Sequence, residues 1–513
     1  MNSFSTIPRF FSARKTFSVL ILPLAGFVFF HCGKKEKTAE QPTIIARVGD
    51  KTIALDEFIR RAEYTVRPAY CNSDNYIHKK IVLNSLIAEK LFALEAGEDN
   101  PLMRSEEVRL YLQGRKEQAM RQWLYYNDAY EKVEVDGDEV KKIYELAGRT
   151  YRLAYFSVTD QSLAERIGKE IRDKGKSFET AYRDAGSLAV IAEREVAHDA
   201  PESRAIHEAL FSSKLKKGQV VGPLRAEDDN HLFIKVLGWA DNIAMSDVQI
   251  QQRWQDVSER LTEQKAEAAF ENYVQDLMAG KRLDFDPSTF RRVVNIVGPY
   301  YLKSFDEKKA MFNKQFWNQD DGQNMLAQMG DQLDAILDAP LFRIDGEVWT
   351  VGDLEREIKI HPLVFRKRRF GKGEFAEQFK LAVVDMVRDR YITKDAYEKG
   401  YDRAEVVRQN VEMWEDNMLF LYQQNKYLMA IGKQANFSKD YLQIVQADLN
   451  PYVDSLQAKH GKMIEINTEA FEKAKLTRID MVVVQRNVPF PVVVPNFPVV
   501  TTDHVLDYGK KME

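Results

Sequence analysis

The chain carries one pattern twice, at offsets that do not agree, and this limits its architecture more than any single motif does. An apolar stretch from Ile44 to Val48, a Gly49-Asp50 turn and a second stretch to Ile53 read as a β-hairpin. Arg343 to Trp349, turning at Asp345-Gly346, gives the same reading about 296 residues later. Leu86, Ile87, Glu95 and Ala96 are echoed by Met386, Val387, Asp395 and Ala396, about 300 residues on. Further along, Tyr273, Val274 and Leu277 are echoed by Tyr452, Val453 and Leu456 at an offset of only about 179. The shortfall means that the first copy holds roughly 120 residues that the second lacks. An insertion of that size at a surface connection is thermodynamically mild, because closure entropy grows only slowly with length.

Between these landmarks the apolar spacing is helical. A helix is expected from about Asp56, burying Phe58 and Ile59. A second, from near His78, carries Leu83, Ile87, Leu91 and Leu94 on one face, and a third, from near Ser105, carries Val108, Leu112, Met120, Trp123 and Leu124. Ser246 with Gln249 and Thr350 with Asp353 have capping-box spacing and announce two further helix starts. The first of these runs on through Trp254, Val257 and Leu261.

Composition removes several function classes. Lys plus Arg number 74 and Asp plus Glu 78, a net charge of −4 over 513 residues, which argues against a nucleic-acid partner. Cys32 and Cys71 alone exclude a disulfide framework or a multi-cysteine metal site. No HExxH pair, phosphate-binding glycine loop or nucleophile elbow occurs, so the common enzyme signatures are absent and neither a metal nor a cofactor is expected.

The N-terminus reads as an address. Arg9, Arg14 and Lys15 precede an apolar run from Phe17 to Phe30, shorter than a bilayer span and interrupted by Pro23 and Gly26. Cys32 closes the run, and a charged tether with Lys34, Lys35 and Lys37 follows. This arrangement resembles a bacterial lipoprotein signal, which implies cleavage before Cys32 and acylation of its thiol. An uncleaved anchor with an incidental cysteine is the alternative. Either reading puts the globular part in the cell envelope, on the periplasmic side of a membrane. With Cys32 acylated, Cys71 is expected to be a free structural thiol.

The extra residues of the first copy begin with a strand-like Thr150–Val158 and a polar helix at Ser162–Lys174. They end with Ile206-His207-Glu208-Ala209-Leu210-Phe211, Lys217-Gly218-Gln219-Val220, Gly222-Pro223 and Ile234-Lys235-Val236. This succession resembles the parvulin (PpiC-type) peptidyl-prolyl isomerase domain. The hairpin-and-helix modules around it resemble SurA- and PrsA-type periplasmic chaperones. The resemblance implies an α+β chain of two mainly helical chaperone modules, with a parvulin-like α/β domain inserted in the first. It also implies these divisions: a signal at 1–31, a tether at 32–43, the first module at 44–147 with its return helix at 242–300, the inserted domain at 148–241, a linker or helix at 301–340, a second module at 341–480, and an extended segment at 481–513.

The implied partners are unfolded polypeptides, outer-membrane proteins among them, with the membrane reached through the lipid anchor. The implied activities are holding such clients or, alternatively, isomerising their prolyl bonds; a structural subunit of an envelope assembly is a third reading. The candidate catalytic residues are Tyr155, Phe211 and His231, although core packing accounts equally well for Phe211. Tyr155 stands where the family has a histidine, and Leu232 takes the place of a second one, with His231 a residue away. Strand alternation turns His231 to the opposite face unless a bulge intervenes. A Gly-Gly loop is missing between Ala185 and Glu195, and the proline pocket's Met and Phe fall near Glu202 and Ile206. These departures predict weak or absent isomerase activity.

Two other stretches are notable. Residues 481–498 are apolar and punctuated by prolines, which suits an extended cover over an apolar groove of the second module or, alternatively, a partner-docking arm. Arg366, Lys367, Arg368, Arg369 and Lys372 read as a solvated basic loop, with anionic lipid as the other candidate contact.

Overall fold

The computed structural model describes residues 43–186, 190–200, 202–225, 230–303, 332–367, 370–476 and 493–512. The expected signal, Cys32, nearly all of the tether, most of the 301–340 linker, Arg368, Arg369 and residues 477–492 lie outside the described residues. The chain is α+β, predominantly helical with small sheets.

It opens with the hairpin β1 (Ile44–Val48) and β2 (Lys51–Ala54), followed by α1 (Leu55–Glu63), α2 (Tyr76–Ala96), α3 (Glu106–Tyr125) and α4 (Gly137–Ala147). Next come β3 (Arg149–Val158), α5 (Gln161–Lys174), α6 (Phe178–Asp184), β4 (Ala192–Ala197), α7 (Arg204–Phe211), β5 (Val220–Arg225) and β6 (His231–Asp241). The return stretch is α8 (Asp247–Met278), β7 (Asp284–Phe285) and α9 (Pro287–Tyr301). The second hairpin, β8 (Pro340–Ile344) and β9 (Glu347–Thr350), leads into α10 (Val351–Ile360), α11 (Phe375–Glu398) and α12 (Glu405–Ala430). Then follow α13 (Phe437–Ile444), α14 (Asn450–His460), β10 (Ile464–Ile466), α15 (Thr468–Lys473) and the short β11 (Lys510–Lys511). Both anticipated capping boxes are formed, at Ser246/Gln249 and Thr350/Asp353.

The chain divides into two compact units. One comprises the residues up to Ser105 together with those from Glu412 onward; Glu106–Val411 make the other. In the first unit β1 lies between β2 and β10, with Ala46 opposite Ile466 and Val48 opposite Ile464, and β11 runs parallel to β10. Ile45, Phe58, Leu83, Ile87 and Leu91 share one core with Phe420, Leu449, Val453, Ile464 and Phe471. Cys71 is buried there as a free thiol, and burial pushes its pKa up to about 12.

Helix α2 is buried nearly all round, well beyond its predicted stripe. Its buried charged residues Glu89 and Lys90 enter the interior paired. Both terminal guanidinium nitrogens of Arg61, Nη1 and Nη2, donate to Glu89 at 2.7 Å, and Asn417 donates to the same carboxylate at 2.8 Å. Lys90 lies 2.9 Å from Asp416 and 3.2 Å from Glu57. Burial pulls its pKa down, but those two carboxylates outweigh burial and hold it above the ordinary lysine range.

In the second unit β8 lies between β7 and β9, with Phe285 opposite Phe342. Val293 and Val297 of α9 join Leu341, Phe342, Trp349, Phe379 and Met386 in its core. Residues 149–241 form a separate four-stranded antiparallel sheet, in the order β4-β3-β6-β5. One face carries Tyr151, Leu153 and Ile234 against α7; the other carries Phe156, Val158 and Phe233 against α5 and α6. Strand alternation fixes both sets.

The grouping of the two repeat copies therefore needs correction. Residues 44–147 with 242–300 were expected to share one core, and 341–480 another. Instead each hairpin is completed by the closing strand of the other copy: β10 pairs with β1, and β7 with β8. A repeat fixes which strands are equivalent, but not which of two equivalent strands fills a given edge.

Two of the described basic loop residues sit in ion pairs, and Lys372 is exposed. Arg366 makes two 2.9 Å bonds to Asp385, and Lys367 lies 2.8 Å from Glu374.

Candidate functional site

Tyr155 and Phe211 belong to the α7 side of the four-stranded sheet. Tyr155 is half-buried on β3, between Ala192 of β4 and Ile234 of β6. Phe211 closes α7 and is fully buried, with ring contacts to Tyr151 at 5.5 Å, His198 at 5.1 Å and His207 at 4.9 Å. It is thus a core residue with no open face for a substrate.

His231 is not brought to these two. It opens β6 opposite Val158, a residue of the α5/α6 face, and the register from His231 to Val236 runs without a bulge. Leu232 occupies the corresponding place on the Tyr155 side. The proposed trio is therefore divided by the sheet, and the side-chain alternation of one strand is the reason.

The pocket position is also filled. Glu202, where an apolar pocket residue was anticipated, forms a two-point ion pair with Arg194 at 2.8 and 3.0 Å. That guanidinium lies over the Tyr155 ring, 5.0 Å from its centroid. Ile206, the other pocket position, is buried in the core. A twisted prolyl amide needs an apolar socket with polar groups aimed at its carbonyl and nitrogen. Here a charge pair occupies that position, over the Tyr155 ring.

Sequence reasoning missed a buried histidine pair on this side. The rings of His198 and His207 are 4.5 Å apart. His207 Nε2 donates to the His198 carbonyl at 3.0 Å, and Nδ1 accepts from Gln264 of α8 at 3.1 Å. Both ring nitrogens are engaged in a way that suits the neutral imidazole. Burial, reinforced by Arg260, pulls His207 down to about 2 and His198 to about 4. Arg260 also donates to the Ala200 carbonyl at 3.1 Å, and Arg204 pairs with Glu271 at 2.7 Å. These groups fasten the four-stranded domain to α8. The two histidines are nine positions apart in sequence, one after a strand and one inside a helix, so no local pattern signals the pair.

Among the described residues no cluster of three metal-ligating side chains occurs, and no helix is long and apolar enough to cross a membrane. No family model matches the chain, and neither a curated protein nor a solved structure matches it.

Proposed function

We propose that the chain is a chaperone of the cell envelope, anchored through Cys32, that holds unfolded polypeptides and carries little or no prolyl isomerase activity. The observation that carries this reading is a row of exposed apolar side chains where the inserted domain returns to α8. Ile243, Met245 and Val248 are 80%, 89% and 76% exposed, with Ile250 and Trp254 following on the first turns of the helix. Isolated apolar residues are ordinary at a surface, but five exposed within twelve positions concentrate apolar surface on one short stretch of chain. A holder needs such exposed apolar groups and weak, reversible contacts, since a client loses chain entropy as it is ordered. The divided trio and the Arg194–Glu202 pair over Tyr155 support the low isomerase activity.

The test uses the chain without its signal. It should suppress aggregation of an unfolded outer-membrane protein at near-stoichiometric ratio. Replacing Ile243, Met245 and Val248 together by Ser should weaken that suppression several-fold while leaving the thermal midpoint nearly unchanged, because these side chains bury little. Exchange of a prolyl tetrapeptide should stay near its uncatalysed rate, tens to hundreds of seconds. Strong acceleration abolished by Tyr155→Phe would favour the isomerase instead.

A further inference from the structure

The most unusual packing in the first unit is that of its own C-terminal stretch. Residues 493–505 adopt neither helix nor strand. Val494, Phe497 and Val500 are buried, a spacing of three, each followed by a second buried residue (Pro495, Pro498, Thr501), while Asn496 is exposed. Three residues per turn is the period of polyproline II. The sequence favours that form, because Pro495 and Pro498 fix their own φ and push Val494 and Phe497 toward extended conformations.

The main-chain carbonyls of this stretch are met by side-chain donors from three different helices. Arg61 of α1 donates to the Asn496 carbonyl at 2.9 Å, and Gln424 of α12 donates to that of Val499 at 2.9 Å. Asn84 of α2 donates to the carbonyls of Asp503 and Val505 at 3.0 and 3.1 Å. Arg61 is held in place independently by Glu89, which Asn417 braces in turn. Prolines suit a groove that presents donors, since they bring carbonyls without an N–H to satisfy. Contacts of this kind depend on backbone shape and on apolar sockets three residues apart, and only weakly on side-chain identity.

We infer that the groove formed by α1, α2 and α12 in the first unit is a binding site for extended Pro-x-x-Pro polypeptide segments with apolar residues at every third position, and that the chain's own residues 493–505 occupy it in cis. The occupant is then an intramolecular competitor. Apparent affinity for an outside segment is reduced by the fraction of molecules whose groove is open. This inference rests on the geometry of the first unit and goes beyond the holding function proposed above.

The probe is a fluorescent synthetic peptide with the sequence of residues 493–505, added to the full chain and to the full chain carrying Phe497→Ala with Val500→Ala. The weakened occupant should let the peptide bind at least about tenfold more tightly than it binds the unaltered chain. A peptide with Ala in place of both prolines should bind far less well. In the unaltered chain, saturating peptide should accelerate hydrogen exchange across residues 499–505.

If the double variant remains folded and shows no gain in peptide affinity, the inference is wrong. If the double variant unfolds, exchange in the unaltered chain decides. Protection of residues 499–505 that excess peptide leaves unchanged, and that is lost only with global unfolding, would make the stretch a fixed part of the core. Neither result would alter the aggregation assay of the serine variant, so the two readings fail separately.

Discussion

At the scale of single residues, His198 and His207 make the attachment of the four-stranded domain sensitive to acid. Both have folded-state pKa values well below the unfolded value of about 6.5. Above that pH both states are neutral and nothing is lost. As pH falls below about 6.5 the unfolded chain takes up protons that the folded chain refuses, and stability drops until the folded values are reached. By pH 5.5 each imidazole costs up to about 1.4 kcal/mol. Glu267 of α8 acts in the opposite sense, since burial raises it to about 7 against the pull of Arg204. The quantity to read is therefore a difference between two proteins. His207→Gln keeps a donor for the His198 carbonyl and an acceptor for Gln264 but cannot titrate. Its urea midpoint should fall less between pH 7 and pH 5.5 than that of the parent, and parallel falls would remove this account. Neither histidine stands out in sequence, because what marks them is a tertiary neighbour on α8. Glu89 and Lys90 were equally hidden, since a charged side chain reads as solvent-facing until its partners in other elements are known.

Elements show where sequence reasoning was adequate. Helix starts near His78 and Ser105, and the two capping boxes, follow from local chemistry and appear where expected. The opposite facing of His231 and Tyr155 follows from strand alternation, and the observed pairing keeps it. Contacts between elements were not legible in the same way. Gly114, in the middle of α3, lies against the end of α10, and a Cβ placed on it would stand 2.0 Å from the Ile360 carbonyl oxygen. A glycine inside a helix ordinarily weakens it by about 1 kcal/mol relative to alanine. Here the close approach reverses the sign. Gly114→Ala should destabilise the second unit by about 1–3 kcal/mol, as overpacking does. Thermal unfolding of the variant checks this, and a raised midpoint would mean that the two helices can separate at little cost.

On the scale of the whole molecule, the exchanged pairing decides what can fold alone. Among the described residues, the core around Phe342 and the two faces of the four-stranded sheet are built from residues between Glu106 and Val411. A fragment of residues 106–411 should therefore unfold cooperatively by itself. Residues 43–105 should not, because Ile45, Phe58 and Leu86 share their core with Phe420, Val453 and Phe471. Mixing fragments 43–105 and 412–513 should restore helical circular dichroism that neither shows alone; additive spectra would count against the division. The repeat in the sequence announced that equivalent pieces exist. It was silent on their partners, because an edge strand accepts any strand of matching pattern and register.

The pairing of β1 with β10 also has a consequence in time. Arg47 and its cross-strand partner Glu465 are 418 positions apart. At synthesis rates of roughly 5–20 residues per second, the first hairpin waits on the order of half a minute before its closing strand exists. Throughout that interval its edge is open to any other strand. The newly made first hairpin is thus prone to mispairing until β10 has been synthesised.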